Sequence, residues 1–471
     1  MEPESSITRR EVVAGSLGVA GALSVSSTRP ARAGMARKPN ILVFVADDAG
    51  ARHFGCYGNK TIRTPNIDRL GAEGVIADNA MLTTSQCSPS RISILSGRYP
   101  HSTGAEDLHA PLREGDLILP THLQSAGYFT GHMQKRHEGP HADRQFQWYD
   151  EGLDKFENFL SAAGEKPFFL WVAFSDPHRP YQDGAIPFPH DPLKVEVSPY
   201  MVDTPETRSD IAKYYDAIAR MDASIGRFRQ TLQKRGLSDD TLTIFLSDNG
   251  APFPREKGTV YDSGVRTPLI FHWPRIVPSG LRNKGLMSVI DLAPTLLSIA
   301  GAEVPQVMQG VNIASGLRDP SLWRRTEAFS ERNWHDTDEH IRSVRTERFR
   351  LVYNSYIELP FGSPGDVSRS PSWRDLRKSK RDGSLTPAQQ LLFETPRPAI
   401  EFYDSAHDIW ETTNLAGNPD YDEAIREHFA ILKKWSDETG DFPPTRRRRA
   451  DYVDRVTGVL YSFEVPPMYN P

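Results

Sequence analysis

Asn40-Ile41-Leu42-Val43-Phe44-Val45-Ala46, followed at once by Asp47-Asp48, is the stretch that sets the fold class. An unbroken apolar, β-branched run of this length leaves no polar face for water. Such a strand is buried on both sides, as in a parallel sheet covered by helices. Two acids at the end of a buried strand need a positive partner or water, because an unpaired buried charge is costly. A hard divalent cation with oxygen ligands meets that need; a solvated loop is the alternative.

Two more stretches repeat the pattern. Lys166-Pro167-Phe168-Phe169-Leu170-Trp171-Val172-Ala173-Phe174 reads as a second buried strand, ending in Ser175-Asp176-Pro177-His178-Arg179-Pro180. Thr241-Leu242-Thr243-Ile244-Phe245-Leu246 reads as a third, capped by Ser247-Asp248-Asn249-Gly250. Open α/β sheets keep their chemistry just past the C-terminal ends of such strands. Between them, Ile211, Tyr214, Ile218, Met221, Ile225, Phe228 and Leu232 keep a 3–4 spacing, which predicts a core-facing helix over 210–234. Shorter strands are expected at 75–82 and 269–272, and helices at 64–70, at 121–126, from Asp291 and over 424–435. Residues 341–345 and 349–353 alternate like an antiparallel hairpin. Residues 361–396, rich in Ser, Pro and charge, read as a long loop, 98–101 as a short one, and Arg446 to Arg449 as a solvated charge run. The expected fold class is therefore α/β. A large mixed, mostly parallel sheet lies between helices over 34–335, and a smaller antiparallel α+β subdomain with sheet and helix follows over 336–471.

Composition narrows the function. The chain has 471 residues, with 56 Lys+Arg against 61 Asp+Glu and a net charge of −5, which argues against a dedicated nucleic-acid binder. Cys56 and Cys87 are the two cysteines, too few for a disulfide framework or a cysteine-built zinc site. Thr8-Arg9-Arg10 precedes a weakly apolar Gly/Ala-rich run, and Ala31-Arg32-Ala33 fits a small-x-small cleavage site. A twin arginine in that setting reads as a Tat-type export signal covering 1–33, hence a periplasmic or secreted protein handled by the Tat machinery. The run is too short and Gly-rich for stable membrane insertion, and no other stretch reaches that length.

The chemistry centres on Cys87-Ser88-Pro89-Ser90-Arg91-Ile92-Ser93-Ile94-Leu95-Ser96-Gly97. Pro89 suits a first helical turn and Gly97 a helix end. Cys87 thus falls at a helix N-terminus, where backbone N–H groups and the dipole favour an anion. Lys135-Arg136-His137-Glu138-Gly139 places a Lys and a His two apart, on the same side of extended backbone.

The Cys87 stretch resembles the signature of the type I, formylglycine-dependent sulfatases. The same family is echoed, in motif order, by Asp47-Asp48, by the Gly55-Cys56-Tyr57-Gly58-Asn59 turn, and by the Lys135–His137 block, where Gln134 replaces a Gly. Asp248-Asn249-Gly250, Lys257-Gly258-Thr259 with Gly264-Val265-Arg266-Thr267-Pro268, and Glu411-Thr412-Thr413-Asn414-Leu415, where Ile409 replaces a Pro, complete the set. Residues 167–179, 248–254 and 350–354 most resemble the heparan N-sulfatase branch, except that Lys257 stands where that branch has Arg. The resemblance implies an alkaline-phosphatase-like fold and a calcium ion (Ca2+) on Asp47, Asp48, Asp248, Asn249 and the group at Cys87. It implies that Cys87 is converted to formylglycine by a formylglycine-generating enzyme. Arg91 then holds the nucleophile, Lys135 and Lys257 neutralise sulfate, His178 protonates the leaving group and His137 takes the proton that releases sulfate. Arg179 and His101 are further candidates for lining the substrate site, while Cys56 is structural. The expected substrate is a sulfated saccharide, with N-sulfoglucosamine favoured; a homodimer is compatible with this reading. A sugar O-sulfatase, a phosphonate or phosphate ester hydrolase on the same scaffold, and a non-enzymatic metal-stabilised sugar-binding protein remain open at this point.

Overall fold

The computed structural model describes residues 38–323 and 325–461, so the expected export signal lies outside the described residues. The opening run forms β1 (Asn40–Ala46), buried throughout. Ile41, Val43 and Val45 enter one hydrophobic core; Leu42, Phe44 and Ala46 enter the other. That is the two-residue period of a strand with both faces covered.

The remaining strands of the main sheet are β2 (Val75–Met81), β3 (Phe129–Gln134), β4 (Trp148–Asp150), β5 (Phe168–Ala173), β6 (Thr241–Ser247), β7 (Arg266–His272) and β8 (Leu281–Ser288). Their order is β4-β3-β5-β1-β6-β7-β2-β8. β1 is parallel to β5 and β6, β3 to β4 and β5, and β2 to β8, whereas β7 runs antiparallel to β6 and β2. The sheet is therefore mixed and mostly parallel, as expected. β8 is an unexpected strand: its first half is largely exposed and polar, and only pairing with β2 at the sheet edge makes it extended.

Helix α1 (Cys87–Ser96) and α2 (Pro205–Lys234) lie on opposite faces. Ile92, Ile94 and Leu95 of α1 share a core with α3 (Leu292–Ala300), while the apolar stripe of α2 fills the second core. α2 begins five residues earlier than the apolar spacing indicates. Thr204 accepts the Thr207 N–H as N-cap and Pro205 occupies the first turn.

A second sheet has the order β12-β11-β10-β9 and is antiparallel throughout: β9 (Ala328–Arg332), β10 (Ile341–Arg345), β11 (Phe349–Asn354) and β12 (Ile400–Asp404). Its first strand precedes residue 336. The β9 edge meets the end of β2, where Glu331 N–H donates to the Thr83 carbonyl at 2.7 Å and Ser330 Oγ to the Leu82 carbonyl at 2.6 Å. Two stretches differ from their sequence reading. The expected loop over 361–396 contains α4 (Pro371–Asp382), whose Ser370 N-cap accepts the Trp373 N–H and which buries Trp373 and Leu376. The Ser-Pro pair that looked like a loop is a helix start. The expected loop at 98–101 carries a helical turn at Pro100–Thr103. The last helix, α5 (Asp422–Thr439), seats Leu432 and Trp435 on Val344, Leu351 and Phe402 of the second sheet. The basic run is not a free solvated face: Arg448 pairs with Glu106 at 3.1 Å, and Arg449 pairs with Asp107 at 3.3 Å while lying over the Trp334 ring. No helix among the described residues is long and apolar enough to cross a membrane.

Candidate active site

β3, β5, β1 and β6 are neighbours and all parallel, so their C-terminal ends open on one edge of the sheet. Lys135 follows β3, His178 lies beyond β5, Asp47 and Asp48 end β1, and Asp248 and Asn249 end β6. α1 brings Cys87 to the same edge at its N-terminus, with Gln86 as N-cap and Gly97 closing the helix at φ 65°. Gln86 Nε2 donates to the Trp334 carbonyl at 2.7 Å, so the segment that follows β9 also steadies this terminus. Asn249 Nδ2 lies 3.1 Å from Cys87 Sγ and 2.9 Å from Asp48 Oδ1.

The charges interlock. Arg91 is fully buried and spans three acids: Nε to Asp248 Oδ2 at 2.7 Å, Nη2 to Asp47 Oδ1 at 3.4 Å and Nη1 to Glu138 Oε1 at 3.7 Å. Lys135 Nζ donates to Asp47 Oδ2. Lys257 Nζ sits between Asp48 Oδ2 at 2.7 Å and Asp366 Oδ2 at 2.8 Å. Burial opposes the charge on Lys257, yet Asp366 and Asp48 outweigh it and hold the ammonium well above its usual range. Burial also opposes the Asp47 carboxylate, but Lys135 and Arg91 hold it well below the usual carboxylate range. Asp248 moves the other way, to about 6: burial, with Asp47 and Asp48 close by, exceeds the relief from Arg91. The Cys87 thiol is pushed up to about 12, chiefly by burial, so as a plain thiol it is neutral at pH 7 and a weak nucleophile.

Backbone strain gathers at the same edge. Asp48 and Gln134, at the ends of β1 and β3, have φ of 74° and 68°, left-handed for residues other than glycine. Each costs on the order of 1–3 kcal/mol, which surrounding structure must offset. Gln134 stands where the resembling family has Gly, and its conformation is one that glycine adopts freely.

The residues fit a hard divalent cation. Asp47, Asp48, Asp248, Glu138 and Asp366 set five carboxylates against the fixed cations Arg91, Lys135 and Lys257, an excess of two negative charges. Asp47 Oδ1 and Asn249 Oδ1 are buried without a hydrogen-bond partner. One ligand atom each from Asp47, Cys87 and Asp248 lies within 4.8 Å of the others. Asp47, Asp48, Asp248 and Asn249 offer the oxygen donors that such an ion prefers. Asp48, His178 and Asp366 also converge, but Lys257 occupies the space between the two carboxylates.

The histidines take different positions. His178 Nδ1 donates to the Arg179 carbonyl, which leaves Nε2, 3.8 Å from both Asp48 Oδ2 and Asp366 Oδ2, as the ring nitrogen facing the site, a donor only when the ring carries both protons. His137 packs its ring 4.9 Å from that of His109, and its buried Nδ1 has no partner. Burial, with Lys135 and Arg91 adding to it, pushes His137 down to about 3, so it is a neutral proton acceptor at pH 7. Arg179 is held by Asp210 in a two-point pair at 2.6 and 2.7 Å and forms a wall beside the site. His101 faces elsewhere: it pairs with Glu331 and packs on Tyr99 and Trp435, none of which belongs to the Cys87 cluster.

Two acids of the site escaped the sequence reading. Glu138, wholly buried, accepts from Trp171 Nε1 at 3.1 Å and the His137 N–H at 2.9 Å and faces His132 Nε2 at 3.3 Å. An acid inside a basic block was its only signal. Asp366 comes from the stretch read as loop and has no local signal at all.

Comparison with known proteins agrees with this architecture. The profile of the sulfatase family matches residues 39–302, and that described as N-sulphoglucosamine sulphohydrolase, C-terminal, matches 255–359. Human N-sulphoglucosamine sulphohydrolase is 31% identical over 461 residues, covering 86% of this chain and 91% of its own. An ulvan-active sulfatase of Formosa agariphila is 29% identical over 459 residues, covering 86% and 76%. A chain solved with its substrate D-glucosamine-2-N,6-O-disulfate superposes with a TM-score of 0.67 at 21% identity, covering 87% of this chain and 99% of that one. The fold is the alkaline-phosphatase-like one, and with a family profile spanning more than half its length and the acids, amide and cysteine gathered at the strand ends, the chain belongs to the sulfatase family.

Proposed function

We propose that this sulfatase removes sulfate from a terminal sulfated amino sugar of a heparan-type glycan, with N-sulfoglucosamine the favoured unit. The observation that carries the reading is the match of residues 255–359 to the N-sulphoglucosamine sulphohydrolase C-terminal profile, a span that includes Lys257 and strands β9 to β11. The 31% identity to the human enzyme of that name supports it. The reading includes conversion of Cys87 to formylglycine by a formylglycine-generating enzyme, a calcium ion on Asp47, Asp48, Asp248 and Asn249, and Tat-dependent export to the periplasm or beyond with loss of 1–33.

When bound, the cation supplies Lewis acidity and formylglycine supplies, as its hydrate, the attacking hydroxyl. The chain's own groups do the rest. Arg91 keeps Asp47 and Asp248 ionised and in place. Lys135 and Lys257 present fixed positive charge to the sulfate oxygens where charge shifts in the transition state. His178 Nε2 is placed to protonate the leaving nitrogen or oxygen, and neutral His137 to take a proton.

Lys257 favours a second reading, a sugar O-sulfatase. Lys offers a point charge where a guanidinium would offer a planar two-point contact. Rates on N-sulfoglucosamine and on 6-O-sulfated N-acetylglucosamine, each with calcium present, decide between them. Faster turnover of the first is expected. A clear preference for the second, or no action on the first, overturns the N-sulfate assignment.

A further inference from the structure

A cleft of about 560 Å³ opens beside the site, walled by Arg179, Tyr181, Lys213, Asp366, Arg369 and Arg374 among others. That volume lies in the range of small-ligand sites, roughly 300–1,000 Å³. Asp366 belongs to both cleft and site: its Oδ2 accepts from Lys257 and lies 3.8 Å from His178 Nε2. The cleft therefore begins at the group placed to protonate the leaving atom. With sulfate on Lys135 and Lys257, the cleft is a path open to the rest of the saccharide; that step rests on the proposed function.

Charge is distributed unevenly along the cleft. Its inner wall is neutralised: Asp366 is tied to Lys257, and Arg179 is tied to Asp210 and stacked 4.7 Å over the Tyr181 ring. Its outer rim is not. Arg369 and Arg374, on either side of the α4 N-cap, are exposed, and among the described residues neither guanidinium has an acidic partner. Lys213 faces them from α2, shared with exposed Asp183 at 2.8 Å. Of the three acids in the lining, Asp366 and Asp210 are already paired, which leaves Glu206 alone against these cations.

We propose that Arg369 and Arg374 bind an anionic substituent, a uronate carboxylate or a second sulfate, on the sugar next to the one that loses its sulfate. A guanidinium matches either oxyanion with two parallel N–H donors. An unpaired arginine has no internal ion pair to break before it takes that partner. Its position at the rim puts the contact beyond the reacting sugar.

The test compares glucosamine-containing disaccharides whose neighbour is glucuronate, 2-O-sulfated hexose or plain glucose. The ratio of kcat/KM for each anionic substrate to the glucose one is measured in wild type, in Arg369→Ala/Arg374→Ala and in Arg369→Glu. The wild-type ratio is expected near tenfold and should shrink with added salt. The double variant brings it towards one and the charge reversal takes it below one; loss for one anion only tells carboxylate from sulfate recognition. The sulfate ester used is whichever the wild type turns over, so failure on N-sulfoglucosamine does not decide this question. Calorimetric binding of the sulfate-free glucosaminyl–glucuronate disaccharide reads the cleft without turnover. Equal ratios in wild type and variants, with equal binding, would overturn the proposal.

Discussion

Arg91 and Arg369 are guanidinium groups of neighbouring regions, yet they have little else in common. Arg91 lies at the floor, fully buried among three carboxylates. Arg369 stands at the rim, exposed and without an acidic partner among the described residues. The floor is assembled from the ends of adjacent parallel strands and a helix N-terminus, elements set by the core on both sheet faces. The rim comes from α4 and its approach, attached to that frame from a later part of the chain, with Asp366 lying 109 positions after Lys257. The difference separates two tasks. Groups that must meet developing charge are dry and mutually compensated, which makes them strong and intolerant of change. The rim groups proposed to choose among saccharides are wet and replaceable.

Experiments can break or sharpen this contrast. The largest effect is expected for Cys87→Ala, which should lower turnover by roughly 10⁴-fold or more while the fold and cation binding persist. Mass analysis of the tryptic peptide ending at Arg91 belongs with it: an aldehyde in place of the thiol is expected, and fully active enzyme with intact thiol would refute conversion. Arg91→Met should destabilise the protein by about 3–5 kcal/mol, because Asp47, Asp248 and Glu138 lose their shared counter-charge. A loss below about 1 kcal/mol in urea unfolding would show that charge compensation does not hold the floor.

His137 gives the pH arm. Its folded pKa is about 3, against about 6.5 in an unfolded chain. Between these values the unfolded state carries the extra proton, so stability falls as pH drops through the window, by up to about 1.4 kcal/mol per pH unit. His137→Gln should flatten the unfolding free energy from pH 6.5 towards 3; an unchanged slope would place the titration elsewhere. Chelation comes next. Removing calcium should lower stability by about 3 kcal/mol where the ion had been present at 100 times its Kd, reversed by calcium addition. A chelator-treated protein with the same melting temperature would leave the excess of two negative charges unexplained. Smallest is the rim: Arg369→Ala should shift stability by no more than about 0.5 kcal/mol, since exposed, unpaired side chains contribute little. A shift above 2 kcal/mol would make Arg369 part of the floor's charge network.

Much of this was legible beforehand. A buried strand needs a continuous apolar run, and a functional group at its end follows directly in sequence. β1, β5 and β6 with Asp47, Asp48, His178, Asp248 and Asn249 could therefore be read locally. So could the start of α1 and the apolar stripe of α2, because helix caps and periodicity are short-range signals. Ser370-Pro371 carried the signal of a helix start as well, but the polar residues around it outweighed that signal until Trp373 and Leu376 found a core to enter. β8 had no apolar alternation and depends on its partner for its form.

The sequence by itself determined the residue types of the site and their order along the chain, because strand, turn and cap preferences act over a few residues. Tertiary structure alone decided who meets whom. It set Asp366 against Lys257 across 109 positions, Glu138 behind Arg91, and His101 against Glu331 and Trp435 rather than in the Cys87 cluster. Coulomb and desolvation energies depend on distance in space and on burial, and neither is written in the spacing of residues along a chain.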